Sequence, residues 1–467
     1  MSEKLLLGAS DRPKTGKWIA LSIQHVFAMF SATVLVPMLT GLPISVALFA
    51  SGVGTLIYIL CTKHKVPIYL GSSFAYINYI NAACLATNNY GAALTGLLIA
   101  GLIYIIVSII ITFVGSKWLN KLLPPVIVGP MIMVIGLGLA ATACQSAGLT
   151  ILQKIYEIKI DGETWQRTVT LIQDWRVIVV ALFTMFITAF IAIKAKGFLK
   201  VIPFLIGILG GYVLAVILGF IPFNNGLEDV GSIIDYTPLV DVIKHPSQWF
   251  ALPGFKFLGW ADKELIGGMS MVKINFSAAI SVIPLAFVTM CEHIGDHKVL
   301  GQITGEDYIK DPGLNRTLLG DGVATAFAAI IGGPANTSYG ENTSVVGMTK
   351  IGSVWVTGGA AVIAIALSFF NIFTTFISTI PGAVMGGVCL ILYGFIASNG
   401  LKTLIDAKVN MRSTRNMIIV SVMLVIGLGG ATISYGIVTF SGMALAAIVG
   451  ILLDKLLPKE KEVVSEE

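Results

Sequence analysis

The sequence predicts an all-α polytopic membrane protein with fourteen transmembrane segments, arranged as two seven-segment halves of opposite orientation. Three observations predict it: a composition poor in charge, the recurrence of bilayer-length apolar runs, and positive charge on alternate connections. Of the 467 residues, 56% are hydrophobic and 12% charged, with a mean hydropathy of +0.88. A soluble domain carries roughly 25% charged residues, and a core of this size could not hide so much apolar surface from water.

The bilayer's hydrocarbon core takes about 20 apolar residues as helix. Such runs fall near 18–39, 43–61, 66–86, 91–114, 124–146, 177–193 and 201–220, and then near 275–297, 318–332, 338–349, 354–377, 383–398, 417–433 and 437–454. With both termini in the cytoplasm, 22 of the 30 Lys and Arg residues fall on the cytoplasmic side, among them Lys4, Lys63, Lys65, Lys121, Lys350, Arg415, Lys459 and Lys461. The other eight lie in two long external loops, 147–176 and 221–274, where the positive-inside bias is weak. Residues 1–17 are polar, and the run after them is too long for a signal peptide and lacks a small-residue cleavage site, so it reads as a retained first helix.

The loop 221–274 separates a first repeat, 1–220, from a second, 275–467. Seven segments per half force the second half to enter the membrane inverted. Pro124 and Pro381, Gly129 and Gly386, and Ala140 and Ala397 match at one spacing of 257. Segments three and ten each follow a proline, Pro67 and Pro334, and carry Gly, Ser, Asn and Thr where lipid-facing helices carry Leu and Ile. Paired interrupted segments point to a transporter's binding site.

Ionisable residues inside a membrane are costly and functional by default. In Cys291-Glu292-His293-Ile294-Gly295-Asp296-His297, Glu292 and Asp296 share one helical face, and His293 and His297 an adjacent one. His297 reads as an interfacial residue at the cytoplasmic end. In Asn336-Thr337-Ser338-Tyr339-Gly340-Glu341-Asn342-Thr343, Glu341 sits among small polar residues, and Gly340 lets backbone approach a ligand. His25 is a third candidate. The bland readings are polar contacts between helices for Glu292 and Glu341, and plain packing for Phe74 and Tyr339. Against the first stands the cost of a buried carboxylate without a task.

The Glu, Asp and His spacing is not that of a zinc motif, and the two pairs diverge on the helix, so no metal or other cofactor is expected and a metal-dependent membrane protein is the least favoured alternative. Cys61, Cys84, Cys144, Cys291 and Cys389 form no CxxC pair and read as small buried hydrophobes. The net charge of +5 is spread singly and is no nucleic-acid footprint. What remains is binding of a small polar solute beside carboxyls. A carboxyl taken out of water holds its proton more readily, as proton-coupled transport requires. A passive channel stays open as an alternative, as does an anion carrier, for which two carboxylates make a poor host.

At these residues the chain resembles the nucleobase–ascorbate transporter family. The likeness runs from Gln24-His25-Val26-Phe27-Ala28-Met29-Phe30 to the last segment, and is strongest at Tyr69-Leu70-Gly71-Ser72-Ser73-Phe74-Ala75, Asp311-Pro312-Gly313-Leu314 and Asn336-Thr337-Ser338-Tyr339-Gly340-Glu341-Asn342. The family signature reads here Glu341-Asn342-Thr343-Ser344, closing on Thr349-Lys350, with Ser344 in place of the family glycine.

The resemblance implies fourteen spans in the plasma membrane. Spans one to four and eight to eleven form a core domain, and five to seven and twelve to fourteen a gate domain. Extended stretches in spans three and ten hold the base, and relatives often pair as homodimers. It implies import of uracil with protons, not enzymatic chemistry. Glu292 and Glu341 would accept hydrogen bonds from the base, Phe74 would cover its ring, and Ala32, Tyr339 and Gly340 would line the pocket. Tyr393 would be a gate-domain contact, and Glu292, Asp296, Glu341 and His25 would carry the coupling. Asp296 stands where several uracil carriers have His, as in purine-type members. Glu341 stands where purine-type members usually carry Gln. A xanthine or urate permease is therefore the alternative.

Overall fold

The computed structural model describes residues 5–151, 153–160, 163–170, 172–200, 202–224, 229–435, 438–440 and 442–458. Lys4, Lys459 and Lys461 lie outside the described residues, as do a few positions at the edges of expected segments. The main helices are α1 (Thr15–Thr40), α2 (Ile44–Cys61), α3 (Ile77–Thr87), α4 (Tyr90–Val114), α5 (Pro125–Leu137), α6 (Trp175–Lys194) and α7 (Pro203–Gly219). The second half supplies α8 (Val282–Thr304), α9 (Leu314–Ile330), α10 (Gly340–Thr349), α11 (Val354–Ser368), α12 (Gly382–Asp406), α13 (Thr414–Leu428) and α14 (Gly442–Leu456). Two strands precede half-length helices: β1 (Leu70–Ser72) before α3 and β2 (Asn336–Ser338) before α10.

Six helices among the described residues are long and apolar enough to cross a bilayer: Thr15–Thr40, Ile44–Cys61, Tyr90–Val114, Pro125–Ser146, Trp175–Lys194 and Gly382–Asp406. At 23 residues α8 is long enough but too polar to join them, because it carries Glu292, Asp296 and Lys298. Its bounds correct the expected 275–297. Asn275 is a turn residue whose side chain accepts the Ser277 N–H at 2.9 Å. The helix then runs on through His297 and Lys298 until Gly305, whose left-handed φ of 80° caps it. Glu292 is therefore the eleventh of 23 residues, and His297 lies well inside the helix rather than at an interface. The two long loops also hold strands that hydropathy did not reveal. One is a hairpin, Gln153–Ile160 with Glu163–Thr170. The other is a sheet in which Ser270–Lys273 lies between Lys256–Gly259 and Lys263–Glu264.

The chain gathers into two units, one of 1–138, 250–374 and 395–467, the other of 139–249 and 375–394. In the first, α4 packs on α9, α2 on α9 and α11, and α1 on α11. Small residues set these contacts. A Cβ on Gly101 would meet the Ala326 nitrogen and the Gly322 oxygen at 2.7 Å, and one on Gly52 would meet the Ala361 oxygen at 2.5 Å. The outer face of α4 shows Leu102, Ile106, Ile109 and Phe113, while Tyr104 and Ser108 turn inward. Apolar side chains outward and small or polar ones inward is the arrangement a lipid solvent favours.

In the second unit, α6 and α7 meet through matching small positions: Thr184 and Thr188 against Gly211 and Gly207. The Arg176 side chain is fully buried at the head of α6. It pairs with Asp174 at 2.7 Å, donates to the Ile221 and Gly231 carbonyls, and lies over the Phe223 ring. That arginine ties the chain after α7 back to the start of α6.

Gly101→Ala should lower the melting temperature of detergent-purified protein, because overpacking against fixed backbone costs about 1–3 kcal/mol. Gly16→Ala, with nothing within 4 Å of the added atom, should leave it unchanged or slightly higher; thermal scans of the two variants check this.

Candidate functional site

Segments three and ten cannot remain helical throughout. Each enters from a proline, and a proline lacks the N–H that would continue a helix. The peptide groups freed there must pair inside the protein, and they pair with each other. β1 and β2 run antiparallel with Leu70 opposite Ser338, Gly71 opposite Thr337 and Ser72 opposite Asn336. The Tyr339 N–H donates to the Tyr69 carbonyl at 3.0 Å, and the Ser73 N–H to the Ala335 carbonyl at 2.8 Å. The crossing leaves the first turn of α10, and the 3-10 turn at Phe74–Tyr76 that leads into α3, with N–H groups that no preceding turn uses.

Side chains lock the crossing in place. The Asn336 amide donates to the Ala50 carbonyl of α2 at 3.0 Å, in space that exists because residue 54 is glycine. The Tyr339 hydroxyl donates to the Ser72 carbonyl at 2.9 Å and accepts from Thr33 at 3.3 Å. A Cβ on Gly71 would strike the Tyr339 ring. Tyr339 is buried, so its hydroxyl serves the crossing. Ala32, beside Thr33 on α1, is buried as well.

Glu341 lies in the first turn of α10 and Phe74 opens the short 3-10 turn before α3; both are partly exposed. Gly340 and Gly295 are exposed, while Glu292 and Asp296 are partly so. A Cβ on Gly340 would lie 3.9 Å from the nearer Asp296 carboxylate oxygen. Glu292, Asp296 and Glu341 thus come together around the start of α10, close enough for each charge to act on the others. No Lys or Arg acts on these three among the described residues. The arrangement offers carboxylate acceptors and helix-end N–H donors side by side.

His25 does not join that group. It is buried, and its ring and carbonyl both receive hydrogen bonds from the Asn342 amide at 3.1 Å. Tyr393 belongs to the other unit; it is 2% exposed, and its hydroxyl has no hydrogen-bond partner among the described residues. Ser344 is exposed, and its hydroxyl donates to the Gly340 carbonyl at 3.0 Å. No close approach demands a glycine there.

Asp321, in the middle of α9, was missed. It is 1% exposed and bonds His293 Nδ1 at 2.7 Å. Its signal was available, a lone acid between two glycines in an apolar stretch, but placing the segment start at 318 put it near an interface. Asn342 was read in sequence only as part of the motif around Glu341, and its bonds to His25 link two helices that no local spacing connects.

Asn336→Ala removes the amide that ties β2 to the Ala50 carbonyl of α2 and should destabilise the protein by about 0.5–1.5 kcal/mol. Ser344→Gly should change stability far less; melting in detergent compares them.

The model of the Permease family matches residues 16–436. The uracil permease of Bacillus subtilis is 45% identical over 98% of this chain and 97% of its own. The uracil permease of Escherichia coli is 37% identical over 95% and 92%. Among solved structures, the transmembrane domain of the cyanobacterial bicarbonate transporter BicA aligns with a TM-score of 0.59 at 14% identity, covering 94% of this chain and 96% of that one. A murine Solute Carrier 26 family member A9 anion transporter aligns at 0.64 and 12%, covering 96% and 69%. These two likenesses show the fold, that of a mostly helical multi-pass membrane protein. Over nearly its whole length, then, the sequence and the fold agree: the chain belongs to the Permease family.

Proposed function

We propose that the protein imports uracil together with protons across the plasma membrane, with both termini in the cytoplasm. The observation that carries this reading is the grouping of Glu292, Asp296 and Glu341 at the start of α10, beside the β1–β2 crossing. Uracil presents two N–H donors and two carbonyl acceptors. Carboxylates of Glu292 and Glu341 accept the donors, N–H groups at the helix starts meet the carbonyls, and Phe74 covers a ring face. A site of paired hydrogen bonds rejects analogues that leave a buried group unpaired. The relatives named uracil permease support the pyrimidine. Asp296 keeps a xanthine or urate permease as the second reading.

The fold alone would equally suit an anion, as the names of its structural neighbours indicate. Two or three carboxylates without a cation beside them argue against one here.

Fourteen spans in two inverted repeats are the layout we infer. Its support is the side on which connections meet. Lys65 bonds Asp311 at 2.6 Å, the Lys455 ammonium reaches the Lys121 carbonyl, and Leu6 bonds Lys350, all within connections assigned to the cytoplasm. Asn89 meets Asp262 and Tyr90 meets Gly41 within connections assigned to the outside.

In coupling, a proton taken up at the carboxyl cluster from outside favours loading of the base, and its loss inside releases both. Each charge moved down the membrane potential contributes about 2.3 kcal/mol per 100 mV. His25, held by Asn342, would tune this cluster by positioning α10.

Radiolabelled uracil uptake into proteoliposomes, with and without an inward proton gradient and with unlabelled xanthine as competitor, tests the reading. Gradient-driven uptake blocked by uracil but not xanthine is expected. Xanthine taken up in place of uracil would overturn the substrate. Glu292→Gln should abolish uptake while the protein remains folded; normal accumulation in that variant would remove Glu292 from the site.

A further inference from the structure

The second face of α8 carries polar groups that base binding does not use. His293 and His297 are both 0% exposed, one turn apart, with ring centroids 3.9 Å from each other. His293 Nδ1 bonds Asp321 of α9 at 2.7 Å, with Ser338 of β2 a further neighbour at 3.3 Å. A carboxylate only accepts, so Nδ1 carries the hydrogen and His293 Nε2 is left with a lone pair. That nitrogen is buried with no partner among the described residues. His297 Nδ1 lies 2.7 Å from the His293 carbonyl, so it too carries its hydrogen there. His297 Nε2 then accepts from the Tyr58 hydroxyl of α2.

This row ends at a cavity. A pocket of about 440 Å³ is lined by His297, Lys298, Gln302, Glu306, Asp307 and Tyr308. A water molecule's share of liquid volume is about 30 Å³, so the pocket holds many. It sits at the Thr304 end of α8, beside the connection that carries Lys310 and the Lys65–Asp311 pair, which the proposed topology places in the cytoplasm.

We propose that the transported proton leaves by this row rather than back through the base site: His293, backed by Asp321, receives it, and His297 with Tyr58 delivers it to the cytoplasmic pocket. The inference rests on the proton-coupled reading above. The O–H bond of Glu292 or Asp296 breaks on one face of α8, a transiently entering water carries the proton to the other face, and an N–H bond forms at His293 Nε2, with the Asp321 carboxylate balancing the imidazolium. The rings' contact, with rotation of either ring, hands the proton to His297 Nε2. Because His297 and Tyr58 are both fully buried, a local opening at the Thr304 end of α8 lets it pass from there to pocket water, where Glu306 and Asp307 draw it and Lys298 opposes it. One proton and one positive charge move, and each histidine returns to its neutral form. The groups facing the row are Tyr58 from α2, Asp321 from α9, Ser338 from β2 and Tyr308 beside the pocket; the carboxyls of Glu292, Asp296 and Glu341 lie on the other face of α8. A separate exit lets the proton depart while the base still occupies its own site.

The test is His297→Gln in proteoliposomes, because Gln can still bond the His293 carbonyl and Tyr58 but cannot take a proton. Three quantities are read beside the wild type: gradient-driven uracil accumulation, acidification of the lumen reported by a trapped pH dye, and exchange of labelled for unlabelled uracil at equal pH. Exchange needs the base to cross but no net proton release. Accumulation and acidification should fall about tenfold or more, the scale of losing a proton-transfer group, with exchange near the wild-type rate. Tyr58→Phe should move the same two readouts in the same direction, by less. Accumulation unchanged in His297→Gln overturns the exit route, and so does a parallel fall of exchange and accumulation, which marks a structural role. Wild-type uptake indifferent to the gradient would overturn the coupled reading itself, and is told apart by needing no variant.

Discussion

The pairing of two three-residue strands in the interior is the constraint on which the site depends. Peptide groups away from water must be satisfied within the protein. Tyr69–Ser73 and Ala335–Tyr339 satisfy each other, and only for that reason can the helical turns after each strand begin where they do. The demand spreads outward through packing. Gly54 clears space for the Asn336 amide, Gly71 for the Tyr339 ring, and Thr33 takes part in the Tyr339 hydroxyl's bonding. Residues on α1 and α2 that never meet a substrate are therefore held to small or specific side chains by two strands elsewhere in the chain.

Helix α8 shows how one element serves two environments. Successive residues on a helix turn by 100°, so Glu292 and His293 cannot share a face, nor can Asp296 and His297. The carboxylates look to the partly exposed side with Gly295, and the histidines look inward to α9 and α2. The polar row behind α8 is satisfied mainly by its own members. This is how a buried network avoids the cost of stranded groups, and it leaves His293 Nε2 as an exception with a stated chemical use.

Much of this was legible in sequence because membrane helices obey a simple length rule and interrupted ones violate it conspicuously. The prolines at 67 and 334, with small polar residues after them, marked both strands' neighbourhoods, and the Glu292–Asp296 spacing gave their common face. What escaped did so for physical reasons. Hydropathy places a helix where apolar residues end, but α8 ends where Gly305 adopts a left-handed φ, seven residues beyond the expected 297. That single displacement turned His297 from a buried member of a network into an apparent interfacial residue. Asp321 was hidden by the mirror-image error at the start of α9. Its partner lies 28 positions away, and no period within one helix encodes a contact between two.

In the proposed reading it is the first turn of α10, not the fold, that chooses the substrate. A helix start presents bare N–H groups and the positive end of a dipole, which together suit an anion. With a neutral residue at 341 the same frame would keep that preference. Glu341 sits inside that first turn, and Glu292 and Asp296 reach the same region from α8. Their charge opposes the helix-end field, so an incoming anion meets repulsion where the bare backbone would attract it. A neutral ring meets no such penalty, and its N–H groups find acceptors already in place while its carbonyls use the N–H groups between them. Adding protons to such a cluster reduces the repulsion among its members. In the proposed reading, a site that selects a neutral hydrogen-bonding ring by crowding carboxylates at a helix start is therefore also one whose loading depends on protons, through the same three side chains.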